Sequence, residues 1–183
     1  MSQATQHQTL KQSDEINNEQ IKLAKRQGEA FQEAIRDMTQ KEARGTQRAA
    51  GDYIIAWASE KAEGMYVLRN DQLQWDEPQI ENTHLEVAVC SLADGRFVPS
   101  LTVYATLIDQ KGTQVGMHQQ PFLWHPWLYH YGRNWHVPNE GPYTLRVRVE
   151  VPGFPRHDRT NGKLFDQPVE VEFSNIKLEI GQK

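Results

Sequence analysis

Between Tyr143 and Val151 apolar and polar residues alternate: Tyr143, Leu145, Val147, Val149 and Val151 fall on one side, Arg146, Arg148 and Glu150 on the other. A period of two predicts a strand in a sheet with one dry face. Shorter versions of the pattern occur in "YIIAWA", "MYVLR", "HLEVAVC", "LTVYATLI", the stretch around Val115, "PVEVEF" and "IKLEI". They break at "RNDQ", "ADGR", "DQKG", "PNEGP" and "RTNGK", all rich in turn-forming residues. No helical periodicity separates these strands and no segment repeats. The pattern predicts an all-β fold, an immunoglobulin-like antiparallel β-sandwich.

Before residue 50 the period changes. Ile21, Ala24, Gly28, Phe31, Ile35 and Met38 follow one another at alternating steps of three and four, which predicts one stripe of an amphipathic helix from about Ser13 to Ala43. Gly28 weakens the middle of the stripe, and the surrounding Gln, Glu, Lys and Ala bring little to bury. A mobile or loosely docked helix is expected, with a coiled-coil interface as the alternative. The chain therefore divides into a polar N-terminal helical arm, residues 1–50, and a β-sandwich, residues 51–183.

Its 183 residues leave room for one ordinary domain plus an appendage. A net charge of −4 and a pI near 6.0 provide no basic field for a phosphate backbone, so nucleic acid is not an expected partner. The absence of a long apolar run excludes direct insertion of a helix into a membrane. Cys90 is the only cysteine, so no internal disulfide forms. The N-terminal residues lack the apolar stretch of a secretory signal, which fits either a cytoplasmic protein or a chain trimmed to its mature form.

The densest chemistry lies in "WHPWLYHYGRNWHVP", residues 124–138, with tryptophans at 124, 127 and 135 and histidines at 125, 130 and 136. Pro126 and Pro138 predict a long loop there, in which Trp124, Trp127 and Trp135 form a buried plug. The histidines point to a metal, because neutral imidazole is the commonest ligand for Zn, Cu, Ni and Fe. His125 and His130 sit in this stretch. His84 and Glu86, in "HLE", project from one face of a strand, and His157 precedes a turn in "FPRHD". Two donors on a strand face joined by others from separate loops make a metal site on a sheet; solvated histidines are the alternative that spacing leaves open.

"THLEVAV", "RFVPSLTVYATL", "HYG" and "FPRHDRTNGKLFDQPVEVEF" resemble, in order and nearly in spacing, the motifs of the bacterial periplasmic iron-transport protein family, which works beside high-affinity iron permeases. The resemblance covers about residues 80–178. It implies a homodimer of immunoglobulin-like sandwiches, a periplasmic or extracytoplasmic location, an iron or copper ion as ligand, and a membrane iron permease as partner. It implies His84, Glu86, His130 and His157 as metal ligands. Where the family carries a ligand methionine ahead of "HYG", an ungapped reading finds Leu123, so His125 becomes the substitute donor, with Met117 and His118 available to a gapped reading. A second family histidine falls on Cys90, expected to be a buried hydrophobe. Glu60 or Glu63 is a candidate for an additional carboxylate, and Tyr131, Arg133 and Asp158 for tuning the imidazoles.

Three functions compete at this point. The first is a metal-binding accessory of iron uptake that is not an enzyme. The second is a metal-free β-sandwich module gripping a sugar or peptide with its aromatic loop. The third, least supported because nothing marks a general base or substrate pocket, is a metal-dependent oxidoreductase.

Overall fold

The computed structural model describes residues 9–42 and 44–183. Helix α1 (Asn18–Asp37) runs into a short π-helical turn (Met38–Glu42). The strands that follow are β1 (Arg44–Ala50), β2 (Tyr53–Glu60), β3 (Met65–Arg69), β4 (Gln72–Asp76), β5 (Thr83–Ser91), β6 (Val103–Ile108), β7 (Gln114–Gln120), β8 (Phe122–Trp124), β9 (Tyr129–Trp135), β10 (Tyr143–Val149) and β11 (Val169–Ile176). One sheet has the order β1-β2-β5-β9-β8, the second β11-β10-β6-β7, and β3 and β4 form a separate hairpin. All these pairings are antiparallel, as the alternating pattern predicts.

The two sheets bury their facing sides in one core. Leu85, Val87 and Val89 of β5 meet Val103, Ala105 and Leu107 of β6 and Leu145, Val147 and Val149 of β10. Tyr131 of β9 reaches across this core: its hydroxyl donates to Val98 O at 2.8 Å and accepts from Leu101 N–H at 3.0 Å, tying β9 to the segment leading into β6. Because successive side chains alternate, His84, Glu86, Ala88 and Cys90 of β5 face outward from the same strand.

At Ala88 and Cys90 that outer face is covered by α1. Asn17 caps the helix in a capping box with Gln20, so it starts at Asn18 rather than near Ser13. The stripe foreseen in the sequence is its buried side: Ile35 and Met38 pack with Ala56, Ala58, Ala88, Cys90 and Leu128. At Gly28 the helix meets the backbone of the Asp94–Gly95 turn so closely that a Cβ would lie 1.7 Å from Asp94 O. The helix is thus docked on the sheet, because small residues on β2 and β5 leave a shallow trough for it. Burial of Ile35 and Met38 stabilises the docking by roughly 1.5–3 kcal/mol each. The sheet starts at Arg44, since β1 pairs with β2 along its whole length.

Two expectations about residues 124–138 are corrected. The segment is not a long loop: β9 occupies the seven residues from Tyr129 to Trp135 between the two prolines, paired with β5 and β8. Nor is it a tryptophan plug, since only Trp135, at 2 % exposure, is buried, while Trp124 and Trp127 stand 71 % and 45 % exposed. Period two explains it: Trp135 shares the inward face of β9 with Tyr131, whereas Trp124 ends β8 and Trp127 lies in the connection to β9. No helix among the described residues is long and apolar enough to cross a membrane.

Trp135→Ala should therefore cost about 3–5 kcal/mol in urea unfolding. Trp124→Ala should stay within about 0.5 kcal/mol of the parent. Equal losses from the two would contradict this placement.

Candidate metal centre

His84 and Glu86 lie two residues apart on the outward face of β5, and β9 brings His130 beside them. One ligand atom from each lies within 4.8 Å of the others. The residues are 0 %, 6 % and 3 % exposed. His130 Nε2 is 3.4 Å from Glu86 Oε1, which matches the edge of a tetrahedron built from bonds of about 2.1 Å.

Gly132 leaves room between the donors. Its Cα sits opposite Glu86 in the β5–β9 register. A Cβ there would stand 3.1 Å from His84 Nε2 and 3.2 Å from His130 Cδ2. Any other residue in the third position of "HYG" would crowd both imidazoles and the Leu85 carbonyl, 3.0 Å from the added Cβ.

Asn134 fixes the tautomer of His84. Its amide nitrogen donates to Glu63 O at 2.8 Å, so its Oδ1 is the atom that accepts from His84 Nδ1–H at 2.9 Å. The Nε2 lone pair of His84 is left free and, like His130 Nε2, is buried with no hydrogen-bond partner. Buried nitrogens without partners are costly, and a cation bound between them would satisfy both.

Burial also sets the charge state. It holds His84 well below its ordinary imidazole value, and it brings His130 down to about 3, helped by the neighbouring His84 and His125. Burial, reinforced by Glu60 and Glu63, pushes Glu86 up to about 8. The 3.4 Å contact between His130 and Glu86 therefore joins two neutral groups and is not an ion pair at neutral pH. Two neutral nitrogens and one carboxyl suit borderline transition metals; Mg prefers an all-oxygen shell.

The other sequence candidates lie around or away from this trio. His125 is half-buried, its ring centroid 6.1 Å from that of His130 and its Nδ1 without a partner, and it stands just outside the three-donor group. His157 is exposed. Its segment is tied down by Asp158 to Ser13 and by Phe165 N–H to Asp52, at the Tyr53–Ser91 end of the sheet, opposite to His84. Leu123 is the cross-strand partner of His130, whereas Met117 and His118 belong to β7 in the other sheet. Cys90 is buried against α1, which pushes its thiol up to about 12. Glu60 and Glu63 are both engaged by the Lys183 ammonium. Tyr131 serves the core, Arg133 is exposed and Asp158 is remote, so the residue orienting an imidazole is Asn134. Sequence reasoning missed it because its role depends on the β5–β9 register, although its place two residues beyond Gly132 on the same face was legible.

The Fe2+ transport protein family matches residues 50–179. The chain belongs to this family. FetP from uropathogenic E. coli strain F11, expressed in the periplasm of E. coli, shares 18 % identity over 75 % of this chain and 95 % of its own, with a TM-score of 0.59. Copper-reconstituted P19 from Campylobacter jejuni shares 22 % identity over 76 % and 96 %, with a TM-score of 0.61. A copper-bound FetP variant shares 18 % over 74 % and 97 %, with a TM-score of 0.57. At these identities the likeness establishes the β-sandwich fold of the Fe2+ transport family. A comparison with curated proteins finds no match. Helix α1 lies before the matched region.

These shifts imply a signed pH dependence for the metal-free protein. Above about pH 4.5 the unfolded chain has lost the Glu86 proton that the native state keeps until about pH 8, so stability falls as pH rises through this window. His130 opposes it only below 6.5, where the unfolded imidazole takes up a proton that the native one refuses down to about 3. From pH 6.5 toward 8 the Glu86 slope stands alone, at most about 1.4 kcal/mol per pH unit. Urea unfolding should show this decline, and Glu86→Gln should remove it. The same decline in the variant would show that another group is responsible.

Proposed function

We propose that the chain is a carrier in metal uptake, holding an iron or copper ion with His84, Glu86 and His130 and yielding it to a membrane iron permease. The observation that carries this reading is the pair of buried, unpartnered Nε2 atoms converging with Glu86 over Gly132. The Fe2+ transport family and copper in the P19 structure support iron or copper as cargo. We place it outside the cytoplasm, as the periplasmic expression of FetP suggests.

Each group has a part in loading and release. Asn134 keeps His84 Nε2 free to donate, and the depressed imidazole basicity keeps both rings neutral and ready. Glu86 loses its proton as the cation arrives, so that the incoming charge is partly balanced in a poorly hydrated place. Acidification returns the proton and favours release. His125 is the nearest additional donor. His157, in the β10–β11 connection at the end of the sandwich opposite His84, acts as a ligand only by reaching the site of a second copy, which fits the homodimer implied by the family resemblance.

Titration calorimetry on the full chain without a histidine tag tests the reading. One ion per chain is expected, Cu(II) tighter than Zn(II), with no uptake of Mg(II). Buffers of different ionisation enthalpy should reveal close to one released proton at pH 7. His84→Ala and His130→Ala should each weaken binding by more than about a hundredfold, beyond the usual effect of outer-shell changes. His136→Ala should change little, since that ring is exposed and bonded to Ile80 O at 2.7 Å. Affinity for Mg(II) equal to that for Cu(II), or full binding by His84→Ala, would refute the site.

A further inference from the structure

The three donors are buried, and the apolar layer that α1 completes begins at the residues next to them. Ala58 is the cross-strand partner of Glu86, and Ala88 is the next outward residue of β5. Both belong to the apolar layer that Ile35 and Met38 of the arm complete together with Leu128, two residues before His130. The last turn of α1 and the π-helical turn therefore pack on residues adjacent to Glu86 and His130. With the donors at most 6 % exposed, an ion reaches them only when part of what surrounds them moves.

The attachment of α1 is of a kind that releases. Ala24 and Gly28 are its other buried positions, and neither carries a side chain large enough to anchor it. Among the described residues, its side-chain hydrogen bond to the sandwich is Gln32 Nε2–H to Gly95 O at 3.2 Å, beside a ring contact of 5.5 Å between Phe31 and Phe97, and the segment ahead of it is held by hydrogen bonds between Lys11 and Asn161 and from Ser13 Oγ–H to Asp158, which opening has to stretch or break. The π-helical turn that joins it to β1 is a weak ladder at the point where a hinge is needed. β1 itself is paired over seven residues with β2 and stays in place.

We infer that α1 is a lid over the metal centre, hinged at Met38–Glu42, whose undocking from β2 and β5 sets the rate of metal loading and release. This rests on the metal-binding reading above and adds to it a gate outside the family-matched region. An arm that opens before the ion binds makes uptake a two-step event, in which the observed rate reaches a ceiling at the opening rate however much metal is supplied.

Gly28 supplies the test, because a Cβ at that position collides with the Asp94 backbone and not with any donor. Stopped-flow uptake of Co(II), followed by its ligand-field absorption, would be compared in the full-length parent, Gly28→Ala and Ile35→Ala, the last loosening the helix without a wedge. The parent's rate should level off with Co(II) concentration, and both variants should raise the plateau by about tenfold or more, the effect of weakening the closed state by 1.4 kcal/mol. Stoichiometry should be unchanged in all three. Amide hydrogen exchange over residues 18–37 should quicken in the variants, which verifies that the helix has been freed. Identical uptake rates in proteins whose helix exchanges faster would overturn the lid while leaving the metal site intact. Failure of all three proteins to take up Co(II) would instead refute the metal-binding reading, and the lid with it.

Discussion

Strand β5 is buried on both of its faces, and the period of two that divides them is the constraint on which the molecule depends. Inward, Leu85, Val87 and Val89 knit the sheets together. Outward, His84 and Glu86 would be unaffordable in water-free surroundings unless something satisfied them, so the strand that anchors the fold also carries its least comfortable groups. A register slip of one residue would exchange the two sets and destroy core and site together.

The site follows from how three neighbouring strands handle polarity. β9 supplies an imidazole and an amide from the same face, and the amide passes its orientation to His84 through one hydrogen bond that is itself fixed by the Glu63 carbonyl. β8 offers only Leu123 opposite His130, which leaves the centre without sulfur at that position. The acidic side chains of Glu60 and Glu63 are held by Lys183, a cation of the chain itself, close enough to influence the Glu86 carboxyl.

Much of this was legible in the sequence, for identifiable reasons. Alternation located most of the strands and placed His84 with Glu86 on one face. The three-and-four spacing gave the buried side of α1. What the sequence did not give is anything that depends on which strands become neighbours. Pro126 and Pro138 read as barriers to regular structure, yet the residues between them have the length of an ordinary strand, and only the pairing with β5 shows that they form one. Indole area argued for burying Trp124 and Trp127, but side-chain size does not say which face of a strand or turn a residue takes. The docking of α1 depends on a trough of alanines from two separate strands, which no single stretch reveals.

The triplet His130, Tyr131 and Gly132 divides its labour in three directions: a nitrogen toward the donors, a hydroxyl clamp across the core, and an empty space. Genetic variation in these neighbours would thus converge on one phenotype by separate routes. A changed histidine yields a well-folded protein that has lost a donor, a changed tyrosine a protein short of abundance, and a changed glycine a protein whose site is obstructed. Loss of function in that triplet identifies its cause only when protein level and ligand occupancy are scored apart.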